Sequence, residues 1–469
     1  MKKIAISFSI IIFILFSMIL LKNTNIDTVF NSSSNKTKSD NKNIIAPSSA
    51  VKIKDFGAHS IDEKRYSTFD SSTAINNAIR YAIKNSIKSV DFGSGRYYAK
   101  NIQLLGNNMT YFSTHGAELI APPSITTWSG VLTANKQSNF TIKGLTINGN
   151  KSVVPGNSHS GIFLISLTAC NNITVQNCYL HNNRSVGLML QNNCNNVTIK
   201  KNKIYDTDCG VLSQHVASNN ILIDGNTIYG SSENQISEPI SIYNTNSAIA
   251  HDIKITNNII HDKKSASGIF VMNATKVLIS KNTVYNCSSG INIGIESYIA
   301  SNNITKSTNL DISSNNIYNC GFGIYGEISN SKVYNNTIRT INHIGIWLLS
   351  RSSTSTIDSD TVSNNSITNV NGIGDLEPAV RLENSTNSTI DSNIVSDTRT
   401  TTLNSFILQI RGTNSNNNII QNNTNLGSIT KNGHKITILQ AKNTTVKKPS
   451  PKNFLIKGIT SSIAPLPIL

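Results

Sequence analysis

The sequence has few aromatic and few charged side chains, which make up 6% and 14% of its 469 residues. Both fractions are low for a soluble globular protein. Asn, Ser, Thr and Ile are abundant instead. A shortage of charge combined with many β-branched residues disfavours long amphipathic helices and favours strands.

Metal-binding cysteine motifs are also missing. The six cysteines form no CxxC pair, and no cluster of residues has the spacing of metal ligands, which argues against a zinc site. We interpret most of the cysteines as small buried residues. Cys287 and Cys320 each end a Tyr-Asn-Cys string one repeat apart, so a disulfide between them is an alternative.

Basic charge is concentrated at the two ends of the chain. The net charge is +16. Residues 1–47 hold six Lys and two Asp (+4), and residues 441–469 hold five Lys and no acid (+5). No basic stripe interleaved with aromatics is present, so we expect no nucleic-acid partner. We interpret 441–469 as a basic C-terminal tail and expect a monomer.

The N-terminus predicts export. Lys2 and Lys3 precede an apolar run at 4–21 that Lys22 closes. Residues 1–22 are either a signal peptide or a membrane anchor, because 18 apolar residues are many for the first and few for the second. Residues 23–48 resemble a disordered linker in composition. The predicted location is extracellular, either secreted or attached to the outer face of the membrane through 4–21.

A short strand pattern recurs from about residue 161. Most copies open with a small residue followed by alternating apolar positions, at 161, 187, 210, 239, 268, 290, 323, 345, 379 and 407. The third and fifth residues of each copy are predicted to point outward, from Phe163 to Gln409 and from Ile165 to Arg411. Variable spacing around a fixed pattern is typical of a coil with loop insertions. One repeat cannot bury its own apolar side, whereas stacked repeats can.

A second string follows most openings: an aliphatic residue, two variable residues, Asn, one variable residue and usually an aliphatic. Its nine asparagines share one register, at Asn202, Asn226, Asn258, Asn282, Asn315, Asn336, Asn365, Asn393 and Asn423. Stacked amides can bond to one another from coil to coil, so we predict an internal Asn ladder. The repeats therefore predict an all-β solenoid of about eleven coils with parallel strand pairing over 129–440.

The segment before the repeats carries a family resemblance. It contains VKIKDFGAHS at 51–60, a helical STAINNAI string from residue 72 and VDFGSGRYY at 90–98. These strings resemble the N-terminal signature of the pectate-lyase-like superfamily of right-handed parallel β-helices. The resemblance implies that 49–128 forms a cap with a short N-terminal helix and the first coils. It also implies an extracellular polysaccharide as substrate.

Catalytic strings of that superfamily are missing. The polygalacturonase NTD, paired Asp, GHG and RIK elements are absent, as is the YG.DPH string of alginate-epimerase-like proteins. No catalytic residue is therefore carried over from these families.

Two polar clusters are candidate sites beside the outward face of the opening strands. Asp208 and Glu238 each precede an opening strand, one coil apart. They suit a carboxylate pair of a glycosidase, or bind Ca²⁺ as a possible cofactor. His215 or Tyr243 would then be the general acid or base, with Asp206 nearby. The alternative is that both aspartates cap a turn and His215 is solvated.

The second cluster combines Arg381, Glu383 and Arg411, because arginine suits uronate carboxylates. On the same face Phe270, Tyr325 and Trp347 are predicted to bind sugar rings. The alternatives are a surface salt bridge and a covering of the aromatics by loops at 231–238 and 370–378. These clusters predict a lyase, hydrolase or epimerase of an acidic glycan. A non-catalytic glycan-binding or cell-surface structural protein is the alternative.

Overall fold

The structure is a computed structural model, and it describes residues 49–156, 161–215, 217–230, 237–244, 248–294, 306–351, 355–372, 377–399, 406–427, 435–439 and 441–447. The predicted leader and linker lie outside these residues. No helix among them is both long and apolar enough to cross a bilayer.

One α-helix, Ser72–Lys84, precedes the repeats, and two 3-10 helices, Ile53–Phe56 and Lys64–Tyr66, lie beside it. Its buried residues are Ala74, Ile75, Ala78, Ile79 and Ala82, the five apolar positions at helical spacing. Asp70 Oδ1 accepts the backbone N–H of Ser72 at 3.0 Å. The helix packs against the first strands of the solenoid.

The first sheet forms one face of a parallel stack. Its ladder runs through Val51–Lys52, Ser89–Asp91, Met109–Phe112, Ser138–Lys143, Asn171–Gln176, Asn195–Lys200, Asn219–Asp224, Ala250–Thr256, Ala274–Ser280, Ser307–Ser313, Lys332–Tyr334, Thr361–Ser363, Thr389–Asp391, Ile419–Gln421 and Thr445–Lys447. Ile328–Ser329 pairs at its side, and Ile357–Asp358 pairs with Ser385–Thr386. Alternation such as that of Ile173 and Val175, both buried, turns one side of each strand inward.

The second sheet covers the other two faces. Its strands are Arg96–Tyr98, Ile102–Gln103, Glu118–Ile120, Gly130–Asn135, Thr146–Asn148, Phe163–Thr168, Tyr179–Gln191, Lys203–His215, Thr227–Tyr229, Ile240–Asn244, Ile259–Met272, Thr283–Ile293, Asn316–Cys320, Phe322–Gly326, Thr337–Ile341, Ile346–Leu349, Ser366–Thr368, Val380–Glu383, Ile394–Asp397, Phe406–Arg411, Thr424–Gly427 and Lys435–Leu439. These strands form two series. The series that follows the Asn string in each repeat is called the second face, and the series that contains the opening strands is called the third face. Long strands such as Lys203–His215 bend from one face to the other. All the described pairings are parallel, which confirms the solenoid.

Close stacking explains the glycine that begins most of the opening strands. A Cβ on Gly290 would lie 2.7 Å from the carbonyl oxygen of Gly323 in the next coil. The same clash recurs at Gly187, whose Cβ would lie 2.8 Å from the carbonyl oxygen of Gly210. Glycine is needed here because backbones of successive coils approach each other at this corner.

The Asn ladder is confirmed. Each Asn side chain donates an N–H to Oδ1 of the next Asn in the column, with all eight links at 2.9 or 3.0 Å. In addition, Asn282 donates its backbone N–H to Asn315 Oδ1 at 3.0 Å and a side-chain N–H to the carbonyl of Ile255 at 2.8 Å. The ladder thereby satisfies backbone groups at the turn between the first and second faces.

The register of the first repeat differs from the prediction. The opening at 161 would place Ile165 on the outer side, but Ile165 pairs with Leu188 and is fully buried in the core. The outward residues of that strand are instead Ser166 and Thr168, which pair with Met189 and Gln191. The run IFLI lacks alternation, so its register is poorly specified by sequence.

All six cysteines are buried free thiols, as predicted for most of them. The alternative of a Cys287–Cys320 disulfide is therefore not formed in this structure.

Candidate functional site

A cavity of about 390 Å³ opens on the third face. Its lining is Trp128, Phe163, Ser185, Val186, Met189, Asp208, Cys209, Leu212, Gln214, Ser237, Glu238, Ser241 and Tyr243. Asp208 from one coil and Glu238 and Tyr243 from the next are thus brought to one cavity. We call it the acid pocket.

Asp208 is held rigidly in the acid pocket. It stands where Lys203–His215 bends between the second and third faces, and it is 3% exposed. Ser237 Oγ donates to its Oδ2 at 2.5 Å, and the Ser237 backbone N–H donates to its Oδ1 at 3.3 Å. Two hydrogen bonds to one carboxylate fix its orientation, which a reacting group needs.

Glu238 and Tyr243 enter the acid pocket from the next coil. Glu238 is half-buried just before strand Ile240–Asn244, and Tyr243 lies on that strand. The Tyr243 ring lies 6.3 Å from the ring of Phe270, and both pack with Met272. Tyr243 is therefore anchored on its inner side while its ring still lines the cavity.

Of the two other predicted catalytic residues, Asp206 is not among the lining residues. Asp206 binds Lys151, with 2.8 Å between Asp206 Oδ2 and Lys151 Nζ. Its backbone has a φ of 54°, in the left-handed region that turns favour. The side chain of His215 lies outside what the structure describes.

Two titratable groups behind the acid pocket were not predicted from the sequence. Lys263 is 3% exposed, and its Nζ donates to the carbonyl oxygens of Thr207 (3.2 Å) and Asp208 (2.5 Å). Burial lowers the pKa of the Lys263 ammonium, although the charges of Asp208 and Glu238 act in the opposite direction. Burial, together with the same two acids, raises the pKa of the Cys209 thiol well above its usual range.

Trp128 at the rim was also missed. Its side chain is 65% exposed, the highest value among the exposed large hydrophobic residues of the described chain. Its φ of 63° lies in the left-handed region, which is rare for a bulky residue and tends to occur at functional sites. The ring meets Phe163 edge-on at 6.3 Å. The one available signal was its position two residues before the strand Gly130–Asn135.

The second predicted cluster also assembles on the third face, in later coils, and we call it the arginine cluster. Tyr325, Trp347 and Arg381 lie on three consecutive strands in one register. Trp347 Nε1 donates to Glu383 Oε2 at 3.1 Å, and Arg411 binds the same oxygen at 2.8 Å. The structure therefore contains the salt bridge between Arg411 and Glu383 that was the alternative interpretation of this cluster.

The Trp347 ring is largely covered by its neighbours. The Arg381 and Arg411 guanidinium carbons lie 5.1 and 5.8 Å from its centroid, and the Tyr325 ring lies at 5.2 Å. Arg381 Nε also donates to Gln409 Oε1 at 2.5 Å. Cations packed on an aromatic face leave less of it for a sugar. Phe270 is buried beside Tyr243, two coils before Tyr325 in the same register.

A third aromatic feature lies on the second face. Rings of Tyr205, Tyr229, His261, Tyr285 and Tyr318 stack coil by coil at 4.5–4.8 Å. Arg339 caps the row, 4.1 Å from the Tyr318 centroid. Because the ring faces cover one another, this row presents edges to solvent and serves mainly to hold coils together.

The described residues contain no group of three or more His, Cys, Asp or Glu side chains placed to hold a metal ion. Asp208 and Glu238 supply two carboxylates to the acid pocket, whereas Ca²⁺ takes six to eight oxygen ligands. Two carboxylates alone therefore do not make a complete site for the Ca²⁺ that the sequence suggested as an alternative.

Comparison with known proteins supports the fold. Residues 190–362 match a family model described as "Right handed beta helix region". No curated protein sequence matches the chain.

Similar solved structures share low sequence identity. The A-module of Azotobacter vinelandii mannuronan C-5 epimerase AlgE4 is 15% identical, covers 84% of this chain and 99% of its own, and gives a TM-score of 0.58. The Streptococcus pneumoniae surface adhesin PfbA is 16% identical, with 86% and 93% covered and a TM-score of 0.55. The catalytic unit of a GH87 α-1,3-glucanase from Streptomyces thermodiastaticus is 13% identical, with 85% and 69% covered and a TM-score of 0.54. The chain is a right-handed parallel β-helix protein.

Proposed function

We propose that this protein is an extracellular enzyme that acts on a polysaccharide, with the acid pocket as its catalytic centre. The observation that carries the proposal is the convergence of Asp208, Glu238 and Tyr243 around one cavity beside the exposed ring of Trp128. Apolar walls with a few oriented polar groups are typical of a site for a small unit such as one sugar.

The three polar side chains suit acid–base chemistry. Asp208 is buried and held by Ser237, so it is the group whose position is fixed, and it acts as base or nucleophile. Glu238 is half-buried and can exchange a proton with solvent, which suits the general acid. The Tyr243 phenol is the alternative proton donor. A lyase, a hydrolase and an epimerase of an acidic glycan all use such a set.

The similar structures support this class. One neighbour is a mannuronan epimerase module and another is a glucanase, so glycan chemistry occurs on this fold. The neighbour PfbA is a surface adhesin, which agrees with a location outside the cell. The apolar run at 4–21 also predicts export.

The test is incubation of the purified protein with a panel of polyuronates and neutral glucans, with and without Ca²⁺. Absorbance from unsaturated ends detects a lyase, new reducing ends detect a hydrolase, and a changed NMR spectrum of the intact polymer detects an epimerase. Turnover of one member supports the proposal, and no change in any of them contradicts it.

A non-catalytic glycan-binding protein is the second candidate, and the arginine cluster favours it. Three guanidinium groups gather around Tyr325 and Trp347, since Arg351 also donates to the Tyr325 hydroxyl at 2.8 Å. Such a surface suits a carboxylate-bearing polymer. Retention on a polyuronate column without turnover would support this candidate.

A further inference from the structure

The two coils that meet at Asp208 differ in length at this corner. Lys203–His215 pairs with the next coil at Tyr205, opposite Tyr229, and at Val211, opposite Ile240. Five residues, 206–210, separate Tyr205 from Val211, whereas ten, 230–239, separate Tyr229 from Ile240. The next coil is therefore five residues longer here, and Ser237 and Glu238, at the end of this longer stretch, line the acid pocket.

Lys263 reaches this corner from the coil that follows the longer one. It occupies an inward corner position, opposite Cys287 in the following coil. From there its ammonium group extends past the intervening coil and donates to the carbonyls of Thr207 and Asp208. A buried ammonium is costly unless it is hydrogen-bonded and compensated by charge.

Opposite charge lies close by. The groups that interact electrostatically with the Lys263 ammonium are Asp208, Cys209, Cys287 and Glu238. Two of these are the carboxylates of the acid pocket. The buried cation thus acts on groups of the acid pocket, because Asp208, Cys209 and Glu238 are all lining residues.

We propose that Lys263 is a positioning residue of the acid pocket, which holds the carbonyls of Thr207 and Asp208 and so fixes the segment that carries the Asp208 side chain. Its charge also favours the thiolate of Cys209, against the effect of burial. The role in catalysis rests on the proposed function, but the electrostatic role does not. The alternative is that Lys263 only fills space at the corner.

The test compares Lys263→Met, which removes the charge at similar length, with Lys263→Arg, which keeps it. Lys254→Met, an exposed lysine in the same coil, is the matched control. The first readout needs no substrate: the rate at which iodoacetamide alkylates Cys209, followed by mass spectrometry of its peptide. Loss of the nearby cation disfavours the thiolate, so Lys263→Met slows alkylation by roughly tenfold per unit of pKa change. Asp208→Asn has the opposite effect.

The second readout is the separation of kcat from KM on the glycan that the wild type turns over. In Lys263→Met kcat falls about tenfold or more while KM changes little, because the segment that carries Asp208 loses its fixed position. Lys263→Arg restores kcat. A variant that melts earlier but keeps the wild-type alkylation rate and kcat would overturn the proposal. If Lys263→Met does not fold, wild-type alkylation of Cys209 in Asp208→Asn overturns it. If no glycan is turned over, the proposed function fails while the alkylation series still decides the role of Lys263.

Discussion

Asn282 donates a side-chain N–H to Oδ1 of Asn315, 3.0 Å away and one coil further along the stack. Both residues are 1% exposed, so the bond is shielded from water. Change of Asn282 to Leu leaves turn groups of two coils without partners. We expect the free energy of unfolding to fall by about 1–3 kcal/mol, measured by chemical denaturation.

Asn316→Leu is the matched control for that variant. Asn316 neighbours the ladder, and the same register holds Ile259 two coils earlier, which is 45% exposed. An aliphatic residue is thus tolerated there, and we expect little change in stability. Equal melting of Asn282→Leu and the wild type would contradict an internal ladder.

The pH dependence of stability is expected to depend on Asp360. Its Oδ1 accepts the backbone N–H of Ser331 at 3.0 Å, while its Oδ2 is buried with no partner among the described residues. Burial, with a further contribution from Asp358, raises the pKa of the Asp360 carboxyl well above its usual range. A group whose folded pKa is raised contributes stability at acid pH and loses that contribution as pH rises through the folded pKa.

Asp360→Asn keeps the acceptor and removes the titration. We expect a Tm about 2 °C or more above wild type at pH 8 and little difference at pH 4, measured by calorimetry. Asp391→Asn makes the same charge change at a half-buried site and is the control. A Tm difference that is independent of pH would show that the Asp360 carboxyl does not titrate in this way.

Catalysis at the acid pocket predicts a large effect of two conservative changes. Asp208→Asn and Glu238→Gln should each lower kcat by about 10²–10⁴-fold on the glycan that the wild type turns over. Circular dichroism should be unchanged. Asp224→Asn, on the first sheet, is the control for loss of one carboxylate. An enzyme that tolerates both pocket changes has its catalytic centre elsewhere.

Trp128 is expected to affect substrate binding without affecting stability. Its ring is mostly exposed, so Trp128→Ala leaves no internal cavity. Loss of a stacking surface worth about 0.5–1.5 kcal/mol raises KM roughly twofold to tenfold. Steady-state kinetics and thermal melting separate the two effects. A fall in Tm with unchanged KM would assign Trp128 to packing instead.

The binding alternative makes a different forecast. Trp347→Ala and Tyr325→Ala should reduce retention on a polyuronate column, because each removes a ring around which the arginines gather. Asp208→Asn should leave retention unchanged in that case. Retention that survives both aromatic changes would remove the arginine cluster from consideration as the binding surface.

The sequence predicted the parts of the fold that repeat. The Asn column and the outward positions from Met189 to Gln409 were identified correctly because alternation and a fixed Asn set the register in every coil. The error at Ile165 arose where four apolar residues follow one another. The register is read from alternation, so a strand without alternation does not reveal which of its residues face the core.

The candidate site was predictable only in part, because it forms where repetition fails. Asp208 and Glu238 could be brought together by counting coils. Lys263 could not, since its partners are backbone carbonyls two coils earlier, which no sequence pattern marks. Trp128 lies before the region in which the repeats were recognised.

The Asn ladder also bears on how the number of coils in such a protein can evolve. Each Asn bonds only to the neighbouring coils, and the shortest period in the column, 21 residues, separates Asn315 from Asn336. Deletion or duplication of one whole period therefore returns every amide to an equivalent partner. Lineages can lengthen or shorten the stack by complete turns, and the interval between the acid pocket and the arginine cluster can vary independently of either site.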